Sequence, residues 1–244
     1  MGAIENTILD GAIRLMQPEQ GYRVAIDPIF LAASCFPKKG DKVLDMGCGV
    51  GSIGFCLLHF DRDIHVSGVD IQEKYIKLAV QNSEINEFSD FTEYRNIDIS
   101  DISDIADVEF DHIVMNPPYY EEGTHVPSPL EDRATAHGGR LEDWISAAAK
   151  ASKSGTRLYM IIPAIRFEDA QKYLKKHQFG ALQLYPLFPK KNEPAKRVIL
   201  IARHHKSGQM IIHNGITLHE EGRRYTNDAS DILKGRSKLK GFKK

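Results

Sequence analysis

The sequence predicts an α/β fold in which a mixed, mostly parallel sheet carries helices on both faces. Short β-rich runs alternate with helical patterns, and strand, helix, strand repeated in this way is typical of a parallel sheet. Near the C-terminus, MIIHNGITL places Asn214-Gly215 between apolar triplets, which predicts a type I′ hairpin and antiparallel strands that close the sheet. The β-rich runs are 42–45, 64–70, 91–97, 110–115, 157–162 and 198–202.

Helical patterns fill the intervals between these strands. LEDWISAAAKASK and RFEDAQKYLKKH are each followed by a glycine-containing segment, and Trp144 in the first fits a core-facing position. In QEKYIKLAVQNSEINE, the residues that fall on one helix face are Tyr75, Leu78, Ala79, Asn82 and Ile85.

Composition narrows the class of protein. The chain has 244 residues, 42% hydrophobic and 27% charged, which fits one domain, 1–244. No apolar stretch reaches the length of a bilayer span, and the first residues lack a signal-peptide core, so we expect a cytoplasmic protein without a membrane partner. The three cysteines have no CxxC spacing, so neither a disulfide framework nor a metal site is predicted.

Charge is distributed unevenly along the chain. Residues 186–244 contain 14 Lys and Arg against 5 Asp and Glu, whereas the rest contains 18 against 28. A basic C-terminal part behind an acidic N-terminal part is typical of a protein that binds a polyanion with one end. The basic tail, residues 234–244, is expected to contact phosphate, with a merely solubilising tail as the alternative.

The first chemical motif is KVLDMGCGVGSIG, residues 42–54, where a buried strand leads through glycines into a helix. Such a turn lets a ligand touch the backbone and the helix N–H groups. The dinucleotide fingerprint would need glycine at position 52, which is Ser52, and no Gly-Lys-Ser/Thr follows for a phosphate loop. The motif resembles motif I of class I S-adenosylmethionine-dependent methyltransferases. That resemblance implies a Rossmann-like, seven-stranded sheet and a cofactor site at Asp45, Gly47, Gly49 and Gly51.

Two further acids follow the next strands. Asp70 ends a strand 19 positions after Gly51, where it is placed to accept hydrogen bonds from ribose hydroxyls. Asp98, after the following strand, is a candidate acceptor for the adenine amino group, although a solvated loop acid is the alternative. Ile71 and Ile99 follow these aspartates and are predicted to line the same cofactor site.

The stretch VMNPPYYEE ends an apolar run at a polar amide and two prolines. Proline cannot extend a sheet ladder, so a strand ends there stiffly. Asn116-Pro117-Pro118-Tyr119 resembles the NPPY motif of amino-methyltransferases, which act on adenine N6 or on a glutamine amide. The resemblance implies that Asn116 and Pro117 accept hydrogen bonds from the amine, that Tyr119 stacks on a base, and that Asn116 also borders the cofactor.

Three features favour adenine in RNA as the substrate. About forty residues precede motif I, too few for the helical domain of glutamine methyltransferases. No length is left for the target-recognition domain of DNA adenine methyltransferases, so no DNA substrate is expected. The basic C-terminal segment suits phosphate contacts. Glutamine N5-methylation of a protein, guanine N2-methylation of ribosomal RNA and a non-catalytic, cofactor-binding RNA chaperone remain alternatives.

The segment GYRVAIDPIFLAA resembles part of the bacterial tRNA1(Val) adenine N6-methyltransferase family. The resemblance implies that Arg23 and Asp27 line the cofactor site, with a simple capping or salt-bridge pair as the alternative. It also implies that the substrate is an adenine next to the anticodon of a tRNA(Val). Val24 and Ala25 stand where an aromatic residue and a serine are usual, and Pro28 is a further departure.

The remaining predictions concern the edges of the site. Residues 1–40 are expected to cover the cofactor, and a monomer is favoured. The loop from Arg133 to His137 is a candidate phosphate-contacting lid or a polar surface loop. A second basic cluster either binds RNA or is solvated; its members are Lys190, Lys191, Lys196 and Arg197.

Overall fold

The predicted fold class is confirmed by a computed structural model, which describes residues 2–19, 24–105, 108–118 and 140–241. The strands of the main sheet are β3 (Lys42–Met46), β4 (His65–Asp70), β5 (Thr92–Asn96), β6 (Phe110–Met115), β7 (Ser152–Pro163), β8 (Phe179–Lys190), β9 (Arg197–His204), β10 (Ile211–Ile212) and β11 (Ile216–His219). Their spatial order is β5-β4-β3-β6-β7-β9-β8, and all six β-rich runs are among them. The two short strands, β10 and β11, lie against β8, which makes nine strands in this sheet.

Direction within the sheet is mixed near the C-terminus, as predicted. Strands β3 to β7 are parallel to one another, whereas β9 lies antiparallel between β7 and β8. Consequently β7 and β8 run in the same direction as β3, and their carboxyl ends reach the same edge of the sheet. We call this the carboxyl edge.

The predicted hairpin at Asn214-Gly215 is wrong. Strands β10 and β11 each pair with β8 in parallel and not with each other. A type I′ turn needs positive φ at both central residues, and only Gly215 has it, at 74°. Gly215 lies against the Pro186 carbonyl, where a Cβ would approach the oxygen to 2.3 Å, so the chain continues along β8.

Helices cover both faces of the sheet. The apolar core on one face includes residues of α1, α2 and α6, and the core on the other includes residues of α4 and α5. Trp144 faces the second core as predicted. The helices are α1 (Asp27–Ser34), α2 (Ser52–Phe60), α3 (Glu73–Ile85), α4 (Leu141–Lys150), α5 (Phe167–Lys176) and α6 (Asn227–Leu233), with 3-10 turns at Ser89–Phe91, Ile99–Ile105, Ala164–Arg166 and Glu221–Arg223.

The N-terminal segment begins with a separate antiparallel hairpin formed by β1 (Ala3–Ile8) and β2 (Ile13–Pro18), which the sequence did not predict. The chain then enters α1, where Pro28 occupies the first turn. A proline is tolerated there because the N–H groups of the first helical turn have no intrahelical acceptor, so the helix loses no hydrogen bond when proline brings no N–H. The unusual proline is therefore compatible with the helix.

The described part of the basic tail, residues 234–241, packs against the body of the protein, and it starts next to the end of α2 at the edge opposite the carboxyl edge. The Leu239 side chain is 2% exposed, and its amide donates to the Ala33 carbonyl at 3.0 Å. These contacts give the tail a structural role, and its contact with phosphate stays a prediction. Three of its cations form ion pairs, Arg236 with Asp10, Lys238 with Asp61 and Lys240 with Asp228.

Candidate active site

The predicted site residues follow four neighbouring parallel strands. Met46 of β3 pairs in register with Met115 of β6 and with Val69 of β4. Neighbouring strands lie about 4.8 Å apart, so the residues that follow them leave the sheet side by side. The carboxyl edge therefore places Asn116, the glycine loop and Asp70 next to one another, with the residues after β5 beyond Asp70.

The glycine loop (residues 47–51) depends on its glycines. The φ angles of Gly47, Gly49 and Gly51 are 70°, 54° and 86°, in the left-handed region that other residues avoid. A Cβ on Gly47 would lie 2.6 Å from the Trp144 ring, and one on Gly51 would lie 2.6 Å from the Phe55 ring. A Cβ on Gly49 would meet no atom of the described residues within 4 Å, so the described part of the site leaves the loop open to a ligand at that point.

Asp70 ties the glycine loop to the end of β4. One carboxylate oxygen accepts from the Gly49 amide at 2.9 Å and the other from the Gln72 amide at 2.8 Å. Burial raises the pKa of Asp70, and these two backbone donors oppose the shift. Beside it the Ile71 side chain is 41% exposed, which leaves an apolar surface next to the carboxylate.

Asp45 is fully buried below the loop. Its Oδ2 accepts from the Gly54 amide at 3.3 Å, whereas its Oδ1 has no hydrogen-bond partner among the described residues. Burial raises the pKa of Asp45 to about 7, the Gly54 amide opposes the shift, and the charge of Asp70 adds to it. A buried acceptor without a partner next to an open glycine loop fits a ligand that brings a donor or a positive charge.

Asp98 and Ile99 lie beyond Asp70 on the same edge, because β5 is the neighbour of β4. Asp98 is half-buried, and its Oδ1 accepts from the Ser100 amide at 2.9 Å. Ile99 begins a 3-10 turn and packs against the apolar core. The side chain of Asn96 donates to the carbonyls of Asp70 and Ile71, which fixes the turn between these predicted cofactor contacts.

Asn116 is the first residue after β6. Its side chain is half-buried, Pro117 is buried, and Pro118 is half-buried, so the motif leaves the sheet as a rigid step beside the glycine loop. Tyr119, the loop from Arg133 to His137, and Arg23 lie outside the described residues.

Asp27 is held in an ion pair that the sequence did not predict. Arg197, the first residue of β9, donates from Nε to Asp27 Oδ2 at 3.2 Å. Because Arg197 pairs with Pro163 at the end of β7, this contact lies at the carboxyl edge. The ion pair joins α1 to the far half of that edge, and a role for Asp27 in the cofactor site stays a prediction.

Two residues that support the loop were not predicted. The Tyr94 ring lies under Gly68 and reaches Gly51 with its hydroxyl, which is buried without a hydrogen-bond partner among the described residues. Asn82 donates to the carbonyl of Val50 inside the loop. The available signals were Gly68 within a strand, which marks close approach, and an asparagine on an apolar helix face.

Comparison with known families identifies the family of the chain. The family model described as methyltransferase small domain matches residues 29–184, more than half of the chain. The chain belongs to the methyltransferase small domain family. Membership confirms the predicted methyltransferase class and its cofactor, S-adenosylmethionine, and the open glycine loop and unpartnered Asp45 oxygen fit that cofactor.

Relatives and solved structures agree with this assignment. The chain is 26% identical over 210 residues to the tRNA1(Val) (adenine(37)-N6)-methyltransferase of Glaesserella parasuis, covering 84% of this chain and 86% of the relative. It is 24% identical over 215 residues to the enzyme of the same name from Pasteurella multocida, covering 87% and 88%.

Solved structures share the fold at low identity. A predicted O-methyltransferase from Agrobacterium tumefaciens, Atu636, superposes with a TM-score of 0.72 at 21% identity, covering 87% of this chain and 98% of that one. TYW2 of P. horikoshii in complex with MeSAdo gives a TM-score of 0.58 at 16% identity, covering 84% and 72%.

Proposed function

We propose that the protein transfers a methyl group from S-adenosylmethionine to N6 of an adenine in a tRNA, next to the anticodon of a tRNA(Val). The observation that carries the proposal is the position of Asn116-Pro117-Pro118 directly beside the glycine loop on the carboxyl edge. The printed activity of the relatives from Glaesserella and Pasteurella supports the choice of substrate. A cytoplasmic location and a monomer are parts of the same proposal.

The cofactor half of the edge is formed by the ends of β3, β4 and β5. Asp70 keeps free lone pairs on both oxygens and would accept from ribose hydroxyls. Ile71 offers an apolar surface for the adenine ring, with Asp98 and Ile99 beside it, and Asp45 Oδ1 is the unpartnered acceptor under the loop. When bound, S-adenosylmethionine supplies an electrophilic methyl group on a positively charged sulfur.

The residues after β6 would hold the amino nitrogen. That nitrogen is a poor nucleophile because its lone pair is delocalised into the ring. The Asn116 side-chain oxygen and the Pro117 carbonyl can each accept one N–H, which aims the nitrogen and draws electron density toward it. The proton can leave after the transfer, so no general base of matched pKa is needed. Tyr119 would stack on the extruded base.

The tRNA would approach over the far half of the carboxyl edge, where β7 and β8 end. Lys190, Lys191 and Lys196 are exposed there, and no ion pair among the described residues involves them. The Ala164 amide donates to the Lys196 carbonyl at 3.1 Å, which places Lys196 next to Ile165, whose side chain is 82% exposed. Lysine contacts to phosphate supply much of the affinity for nucleic acid.

Acidic residues reduce the charge of part of this surface. Glu193, Glu220 and Glu221 line a depression together with Lys190 and Lys191. Lys196 does not line that depression and lies nearer to β7, so we expect it to be the main phosphate contact of the cluster.

Labelled S-adenosylmethionine tests the proposal with three acceptors in parallel, bulk tRNA, bulk ribosomal RNA and a release factor, followed by nucleoside and peptide analysis. We expect label only in tRNA, as N6-methyladenosine. N2-methylguanosine in ribosomal RNA or label in the release factor would replace the substrate and keep the site. Cofactor binding without transfer to any acceptor would favour the non-catalytic alternative.

A further inference from the structure

One buried side chain connects three separate parts of the chain at the glycine loop. Asn82 lies in α3 and is 0% exposed. Its Oδ1 accepts from the Met16 amide of β2 at 2.6 Å, and its Nδ2 donates to the Met16 carbonyl at 3.1 Å and to the Val50 carbonyl at 3.0 Å. Both amide protons of Asn82 are therefore engaged, one by the N-terminal hairpin and one by the loop.

Backbone hydrogen bonds hold the ends of the loop, from the Gly47 and Cys48 amides to the Val69 carbonyl and from the Gly51 amide to the Cys48 carbonyl. Val50 lies between Gly49 and Gly51, both of which have positive φ and no side chain to pack. Asp70 holds the Gly49 amide on one side of Val50, and Asn82 holds the Val50 carbonyl itself. These two side-chain contacts fix the middle of the loop, which is the part that is open to a ligand.

Asn86 provides an internal comparison one helical turn later. Its Oδ1 accepts from the Arg14 amide at 2.9 Å, and its Nδ2 donates to the Arg14 carbonyl at 2.7 Å. Asn82 and Asn86 thus hold the same strand in the same way, by an amide that pairs with both backbone groups of one residue. The additional hydrogen bond from Asn86 Nδ2 goes to the Asn82 carbonyl within α3, whereas that of Asn82 goes to the loop.

We infer that Asn82 is a positioning residue for cofactor binding, which acts by locking the Val50 carbonyl and couples the N-terminal hairpin to the glycine loop. Asn86 fastens the hairpin without this effect. The inference rests on the proposed function in one respect, namely that the glycine loop binds S-adenosylmethionine.

Two isosteric variants distinguish the role of Asn82 from that of Asn86. Asn82→Asp and Asn86→Asp each keep the acceptor for the strand amide and lose the side-chain N–H donors. S-adenosylhomocysteine is the probe, because it lacks the sulfonium charge that a new carboxylate would attract. Calorimetry should show that Asn82→Asp raises the Kd by about tenfold or more, as expected for a buried carbonyl left without its donor. Asn86→Asp should change it less than about twofold, although both variants melt at lower temperature.

Equal changes in Kd for the two variants, or no change for Asn82→Asp, would overturn the inference. Hydrogen exchange in the wild-type protein tests it without any substitution. Addition of S-adenosylhomocysteine should slow exchange of the Met16 amide, which donates to Asn82, more than exchange of the Arg14 amide on the same strand. Equal protection of the two amides would contradict the coupling. Wild-type protein that binds no S-adenosylhomocysteine would instead overturn the proposed function, and the inference with it.

Discussion

The two edges of the main sheet differ in what surrounds their polar groups. At the opposite edge, polar side chains pair with one another: His112 with Asp41 at 2.8 Å, Lys153 with Asp111 at 2.9 Å, and Lys238 of the tail with Asp61. Buried atoms without a partner among the described residues occur at both edges, His112 Nδ1 at the opposite edge and Asp45 Oδ1 at the carboxyl edge, but Asp45 lies below a glycine loop that is open at Gly49. The pairs at the opposite edge stabilise the fold, whereas the unpartnered acceptor at the carboxyl edge lies where a ligand can approach.

The two basic clusters of the C-terminal quarter also differ in whether their cations are paired, although the sequence gives no reason to distinguish them. The described part of the tail is held by three ion pairs and by the buried Leu239, and two of these pairs, Arg236 with Asp10 and Lys238 with Asp61, lie toward the opposite edge. Lys190, Lys191 and Lys196 extend from the carboxyl edge without ion pairs among the described residues. A charge count alone cannot distinguish them, because it does not show which cations are already paired within the protein.

The largest expected effect concerns Asp45. Since burial raises its pKa from 3.8 to about 7, the folded protein holds this proton while the unfolded chain releases it. The free energy of unfolding of the cofactor-free protein should therefore fall as pH rises from about 4 to about 7, by up to about 4 kcal/mol. Urea titrations at several pH values, compared with Asp45→Asn, measure this contribution. A variant with the same pH dependence as the wild type would show that Asp45 is not the group responsible.

Asn116→Ala tests the transfer itself. Without the hydrogen bond that aims and polarises the amine, the single-turnover rate should fall on the order of 100-fold or more. The exposed Asn227 provides the control, because its replacement by alanine should leave the rate unchanged. Near-normal turnover of Asn116→Ala would remove the catalytic assignment.

Removal of residues 234–244 should destabilise the protein. Exposure of Leu239 alone costs about 2 kcal/mol, which corresponds to a decrease in Tm of roughly 5 °C for a chain of this size. Lys240→Gln, which breaks only an exposed ion pair, should leave the Tm nearly unchanged. An unchanged Tm together with a weaker salt dependence of RNA binding would favour the phosphate-contact role predicted from charge.

The smallest effect is expected for the basic cluster at the carboxyl edge. Replacement of Lys190, Lys191 and Lys196 by alanine should weaken tRNA binding and lower the salt slope by about one for each phosphate that the protein no longer neutralises. Lys196→Ala should account for most of the change, and cofactor affinity should remain constant. If binding at several salt concentrations gives the wild-type slope, the tRNA does not pass over this surface.

The sequence was sufficient to predict those parts of the candidate site that depend on local spacing along the chain. The glycine loop, Asp70 and Asn116 follow strands β3, β4 and β6, which are neighbours in the sheet, and parallel strands bring their carboxyl ends together, so their juxtaposition could be predicted. Strand β8 could not, because Gly180, Pro186 and Pro189 are residues that strands avoid, and pairing with β9, β10 and β11 holds them extended.

Contacts between distant segments were also beyond prediction. Asn82 and Val50 are 32 positions apart, and Asp27 and Arg197 are 170 apart, so no local pattern relates them. The hairpin predicted at Asn214-Gly215 was wrong for the same reason, because pairing of β10 and β11 with the distant strand β8 prevailed over the local preference for a hairpin.

The most direct test of the proposed activity is to locate the methyl group. A tRNA(Val) transcript is incubated with the wild-type protein and S-adenosylmethionine, digested with a nuclease, and analysed by mass spectrometry, with Asn116→Ala in parallel. We predict a single N6-methyladenosine next to the anticodon in the wild-type reaction and at most a trace with the variant. A methyl group elsewhere in the tRNA, on a base other than adenine, or formed equally by the variant would contradict the proposed activity.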